Sequence, residues 1–210
     1  MASRPGPIVM IAYTYYPWDP RVAREAETLV RMGREVHVVC ARDDGEPPSE
    51  VVNRVTVHRV PLSVRRGSPG VYAMQYASFF ALAARELRRI RHDHGLAAIH
   101  AHSLPDFIAF LGFVPRLRGV PLILDLHEAA PEIYRARFPQ ARFGPRLAAL
   151  VEFLSCLIAN RVSGCFLEDR AREGRVLCQP IEHIRRELFC EPEHGHGETT
   201  ARRRIGASRA

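Results

Sequence analysis

Apolar positions follow two different periods over the first 160 residues. Residues 7–12 (PIVMIA), 35–41 (EVHVVCA), 97–102 (AAIHAH) and 120–126 (VPLILDL) are short runs that are largely apolar on both faces, which predicts buried strands. Residues 55–60 (VTVHRV) alternate, as a half-buried strand does. Helical spacing separates these runs. Over 21–32, Val22, Ala26, Leu29 and Val30 share one face, with Pro20 before the segment and Gly33 after it. Residues 71–92, 106–117 and 145–160 read as further helices, and 13–20 and 43–50 as loops.

Strands apolar on both faces and separated by helices imply a parallel sheet covered on each side. Right-handed crossovers then give an α/β, Rossmann-like doubly wound sheet. This domain is expected to span residues 1–162. Residues 163–210 lack a convincing apolar period: Leu177, Ile181, Ile184, Leu188 and Phe189 suggest a weak helix that Pro180 interrupts. They read as an irregular tail, or as a truncated or out-of-frame terminus.

Composition narrows the class. The chain is 47% hydrophobic and 25% charged, which excludes a disordered or fibrous protein. The longest apolar stretch, 71–84, is shorter than the ~18–20 residues of a membrane span. Without a signal-like start the chain reads as cytoplasmic. Its net charge of +7 comes entirely from arginine. Before residue 163 there are 21 Arg against 15 acids, so the basic excess belongs to the folded part. The cluster Arg85, Arg88, Arg89 and Arg91, with Arg65 and Arg66, suits a solvated face or a peripheral contact with a phosphate-bearing surface. Nucleic acid is not expected, because no recognition motif accompanies the charge. Cys40 and Cys156 sit in apolar runs and read as core. Cys165, Cys178 and Cys190 are spaced too widely for a structural zinc site, even with His183, His194 and His196 nearby.

Doubly wound sheets bind ligands at the carboxyl ends of their strands. Three loops there carry polar and aromatic side chains: 13–21 (YTYYPWDPR), 100–106 (HAHSLPD) and 125–132 (DLHEAAPE). From them come the candidate substrate-binding residues Tyr15, Trp18, Asp19, Arg21, His102, Asp106 and Glu128. Aromatic rings in such a crevice suit stacking on sugars, or surface packing. His100 and His102 point to one side of their strand. An H-x-H pair can hold a metal, but no matching carboxylates are fixed by the sequence, and none is expected to bind. His102 is the crevice candidate, and His100 reads as a hydrogen-bonded core histidine. Asp125 shares a face with His127 and could orient its imidazole. Glu128 and Glu132 could equally favour the start of a helix. No glycine-rich dinucleotide fingerprint, P-loop or nucleophile elbow is present.

Residues 19–39 (DPRVAREAETLVRMGREVHVV), 99–110 (IHAHSLPDFIAF), 122–138 (LILDLHEAAPEIYRARF) and 151–162 (VEFLSCLIANRV) together resemble the N-terminal domain of family-4 glycosyltransferases of the GT-B fold. The resemblance implies one half of a GT-B enzyme that transfers a sugar, with retention, from a nucleotide-sugar donor to a glycan or lipid acceptor, without a metal cofactor. It implies that His127 faces the donor sugar as the catalytic residue, and that Asp19 to Arg21 and His102 line the acceptor side. The paired glutamates and basic residues of the family's donor-binding domain have no counterpart here. The chain is therefore expected to be inactive alone, with a separate donor domain or a homodimer as partner. The remaining readings are a non-catalytic carbohydrate-binding module and a sugar-nucleotide epimerase-like domain.

Overall fold

Alternating burial along the first strand sets up the whole domain. In β1 (Ile8–Tyr15), Val9 and Ile11 face one apolar cluster while Met10 and Ala12 face another, and all four are essentially inaccessible. A strand buried on both sides needs layers on both sides. The structure, a computed structural model, describes residues 6–64, 67–126, 130–140 and 143–164.

The other strands are β2 (Val36–Ala41), β3 (Ser49–Val52), β4 (Val55–Val60), β5 (Ala98–His102), β6 (Leu122–Leu126) and β7 (Arg161–Gly164). They form one sheet in the order β3-β4-β2-β1-β5-β6-β7. All neighbours are parallel except β3 with β4. The chain reverses its direction of winding between β1 and β5, which is the topological switch point of a doubly wound sheet. Around the sheet lie α1 (Pro20–Arg31), α2 (Pro69–His94), α3 (Phe113–Leu117), α4 (Ala130–Arg137), α5 (Gly144–Ile158) and a 3₁₀ segment (Asp106–Gly112). The Rossmann-like architecture is the one expected.

Local chemistry explains the elements. Asp19 caps α1, its side chain accepting from the backbone N–H of Arg21, and Pro20 occupies the first turn where no donor is needed. Val22, Ala26 and Val30 then bury one face against the sheet. In α2, Gln75, Phe79, Ala83, Leu87 and Ile90 recur at helical spacing, and Gly95 ends the helix with φ 79°. Cys40 and Cys156 are buried as expected, and burial pushes both thiols up to about 12. No described helix is long and apolar enough to cross a membrane.

Several elements differ from the sequence reading. β1 runs to Tyr15, three residues into the expected loop. Residues 49–52 form an edge strand joined to β4 by a two-residue turn, with φ 50° at Asn53 and 68° at Arg54. Turns of that geometry usually announce themselves with glycine, and here there is none. β4 is buried on both faces apart from Thr56, because α2 and the 46–50 segment cover its polar residues His58 and Arg59. Arg59 reaches Glu46 at 2.9 Å and also Glu50, and donates to the Tyr16 carbonyl at 3.1 Å. Residues 106–112 are 3₁₀ rather than α, and Gly112 there lies so close to β6 that a Cβ would meet Leu122 Cδ1 at 2.5 Å. The chain continues as β7 through Gly164, past the boundary drawn at 162. The tail beyond Gly164 lies outside the described residues, as do Cys165, Cys178 and Cys190.

Candidate functional site

A cavity of about 120 Å³ opens at the switch point, where the carboxyl ends of β1 and β5 meet the start of α1. Tyr13 and Thr14 come from β1, Asp19 and Arg21 from the start of α1, and His102 and Ser103 from the end of β5. The cavity is small beside the roughly 300–1,000 Å³ of pockets that enclose a ligand.

Asp19 and Arg21 form an ion pair on the wall of the cavity. Arg21 Nε donates to Asp19 Oδ1 at 3.3 Å and Nη2 to Oδ2 at 3.2 Å, in the two-pronged geometry that suits guanidinium and carboxylate. Burial alone would raise the Asp19 pKa, but these hydrogen bonds outweigh it and hold the carboxyl below its ordinary value. The pair thus presents fixed donors and an ionised acceptor to the cavity.

His102 is ordered from behind. Its Nδ1 lies 3.2 Å from Asp125 Oδ2, and Ser163 Oγ donates to Asp125 Oδ1 at 2.9 Å. The parallel register places His102 directly opposite Asp125, so the two side chains share a face. Asp125 thus holds the ring orientation from the Nδ1 side, and Nε2 is the nitrogen that faces Glu25. His100 stacks beside it with ring centroids 4.3 Å apart. Glu25, one turn along α1 from Arg21, reaches both rings, at 3.6 Å from His100 Nδ1 and 3.9 Å from His102 Nε2.

The family model for the glycosyl transferase 4-like domain matches residues 19–166, more than two thirds of the chain and every wall of this cavity except the end of β1. The chain belongs to the glycosyl transferase 4-like family. The fold of this glycosyl transferase 4-like domain is similar to that of sucrose-phosphate synthase from Thermosynechococcus elongatus, with a TM-score of 0.59 and 16% identity over 75% of this chain and 41% of that one. It is also similar to UGT2 of Phytolacca americana, solved with UDP-2-fluoro-glucose and pterostilbene, at a TM-score of 0.55 and 12% identity over 91% of this chain and 52% of that one. The chain spans about half the length, or less, of these structures, and its architecture is one half of a GT-B fold. No curated protein matches it in sequence.

Within the glycosyl transferase 4-like domain the remaining described candidates, Tyr15, Trp18 and Asp106, do not line the cavity. Trp18 is 75% exposed and does not line the cavity. The Tyr15 hydroxyl accepts from the Val64 backbone N–H at 2.8 Å, tying the β1 loop to the segment that precedes α2. Tyr16 is fully buried in the core. Tyr13 packs edge-on against Tyr76 and Phe79 and donates to Gln75 Oε1 at 3.1 Å, while burial pushes its hydroxyl up to about 12. Asp106 is 3% exposed and faces Glu152 of α5 rather than the cavity. His127 and Glu128 lie outside the described residues.

The sequence reading missed Glu25 and Glu152, and singled out the loops that carry Thr14 and Ser103 without naming those two residues as candidates. Glu25 was accessible in principle, since it stands four residues from Arg21 on the same helical face. Glu152 carried no local signal. It accepts from the Ala130 backbone N–H at 3.1 Å, and that contact depends on how α5 lies against the start of α4.

Proposed function

We propose that this chain is the acceptor-side domain of a glycosyltransferase that moves a sugar, with retention, from a nucleotide-sugar donor to a hydroxyl of a glycan or lipid acceptor. The observation that carries the reading is the polar half-site at the β1/β5 switch point of a glycosyl transferase 4-like domain. Asp19, Arg21, Thr14 and Ser103 offer donors and acceptors of the kind that hydroxyl groups take up. A second domain, or a second copy of the chain, supplies the opposite wall and the donor diphosphate site. His127 matches the family's histidine that faces the donor sugar and is assigned that role. In a front-side transfer the leaving diphosphate takes the acceptor proton, so the work of this domain is to fix the acceptor hydroxyl and exclude water. Arg85 and Arg88, exposed on α2, suit a lipid acceptor presented at an anionic surface.

Thermal unfolding with panels of nucleotide sugars and of glycan and lipid acceptors tests the reading. An acceptor at 100 times its Kd contributes ~2.7 kcal/mol, a rise of several degrees for a domain of this size. The expected result is stabilisation by an acceptor, none by nucleotide sugars, and no sugar transfer by the chain alone. Turnover by the chain alone, or stabilisation by nucleotide sugars and by no acceptor, overturns it.

A further inference from the structure

The histidine pair behind the cavity acquires in the fold the carboxylates that the sequence left unspecified. Ligand atoms of Glu25, His100, His102 and Asp125 all lie within 4.8 Å of one another. Glu25 Oε2 is 3.6 Å from His100 Nδ1 and 3.9 Å from His102 Nε2. Ligands on a tetrahedral zinc ion, with bonds of ~2.0–2.1 Å, stand roughly 3.3 Å apart, so the two edges at Glu25 close by about 0.3 and 0.6 Å when an ion enters. Asp125 belongs to an outer layer, because its carboxylate lies at His102 Nδ1 and is itself held by Ser163. A metal-bound imidazole whose other nitrogen donates to a carboxylate is the usual device for fixing ring and tautomer.

We propose that Glu25, His100 and His102 bind a divalent transition-metal ion of the zinc type, with Asp125 as the positioning residue behind His102. Two imidazoles and one carboxylate form a borderline donor set that favours such ions over magnesium or calcium. Three protein ligands leave one position for water or a hydroxyl group. The ion ties α1 to the end of β5, and His102 is shared between it and the cavity wall. The inference does not rest on the glycosyltransferase reading, because the ligands and their geometry are independent of any sugar substrate.

Cobalt titration of the full-length, chelator-treated protein provides the test, with ligand-field absorption and equilibrium dialysis as readouts. One equivalent with tetrahedral-type absorption is expected in the wild type. Glu25→Gln and His100→Gln each remove that equivalent, and Asp125→Asn weakens it ~10–100-fold. Glu25→Gln is the secure variant, because the Glu25 side chain is 37% exposed and its loss leaves the core intact. A second group, Glu35, His37 and His94, lies at the opposite ends of β2 and α2, and His94→Gln controls for it. No cobalt equivalent in the wild type, or one that survives both Glu25→Gln and His100→Gln, overturns the proposal. So does loss in His94→Gln alone.

Discussion

Asp106 opens the 3₁₀ segment and points into the interior, where neither of its carboxylate oxygens has a hydrogen-bond partner among the described residues. Burial, reinforced by the neighbouring Glu152, pushes its carboxyl from 3.8 up to about 7. Between those two values the unfolded chain has released the proton and the native state still holds it. Native stability from this group is therefore complete below pH ~4 and declines as pH rises towards 7. At about 1.4 kcal/mol per pH unit, the decline amounts to ~4 kcal/mol. Asp106→Asn keeps the shape and removes the charge. It should match the wild type near pH 4 and exceed it by up to ~4 kcal/mol at pH 8, which corresponds to roughly 10 °C in Tm for a domain of this size. Urea unfolding followed by far-UV circular dichroism at pH 4, 6 and 8 measures the difference; groups that do not interact with Asp106 cancel, and the relief of Glu152 from its charged neighbour adds to the gain at high pH. An Asp106→Asn variant that is destabilised equally at all three pH values would refute the reasoning, because it would mean that a paired, ionised carboxylate holds the native state together.

Three further outcomes are expected. Burial pulls the His58 imidazole from 6.5 down to about 4, against the opposing pull of Glu86, so its contribution is present above pH 6.5 and lost as pH falls towards 4; His58→Gln should flatten that acid limb in a circular dichroism titration, and an unchanged limb would assign it to other groups. Arg59→Met leaves two carboxylates without their partner, and because Glu46 and Glu50 can regain some water the loss should fall near ~3 kcal/mol, the lower end for a broken buried ion pair, with faster amide exchange over 46–52. Gly112→Ala drives a Cβ into the fully buried Leu122 and should destabilise by ~1–3 kcal/mol, and Leu122→Val in the same chain should recover part of it; strictly additive effects would show that the two positions do not touch.

The layout of the sheet was legible because it rests on local periodicity. Residues 55–60 were expected as a strand and form one over the same bounds, and α1 differs by a single residue at each end. Of the three loops that the winding rule selects, those after β1 and β5 line the cavity, and residues 127–129 of the third lie outside the described residues. What stayed hidden depends on the lateral arrangement of elements. Asp125 was expected behind His127, and its contact with His102 appears only once the β5/β6 register sets 102 opposite 125. Glu25 meets the histidines only through the rotation of α1 on the sheet. Asp106 read as a rim carboxylate because it follows β5 closely, but it opens the 3₁₀ segment with its side chain buried. Arg59 read as the polar side of an alternating strand, and a distant loop covers it.

The hairpin of β3 and β4 has a consequence for assembly. A parallel sheet ends in a row of backbone groups that could recruit another chain, and β4 would be that row at this flank. Four residues of antiparallel strand occupy it, entered through Pro47 and Pro48 and latched at the turn, where Asn53 Nδ2 donates to Glu27 Oε1 of α1 at 2.9 Å. So short a strand, with two prolines before it and the charged Glu50 within it, is a poor template for further pairing. Trimming or loosening residues 47–54 would therefore uncover β4 and invite fibrillar or swapped association, which makes this hairpin a poor place for an insertion, a tag or a new chain terminus.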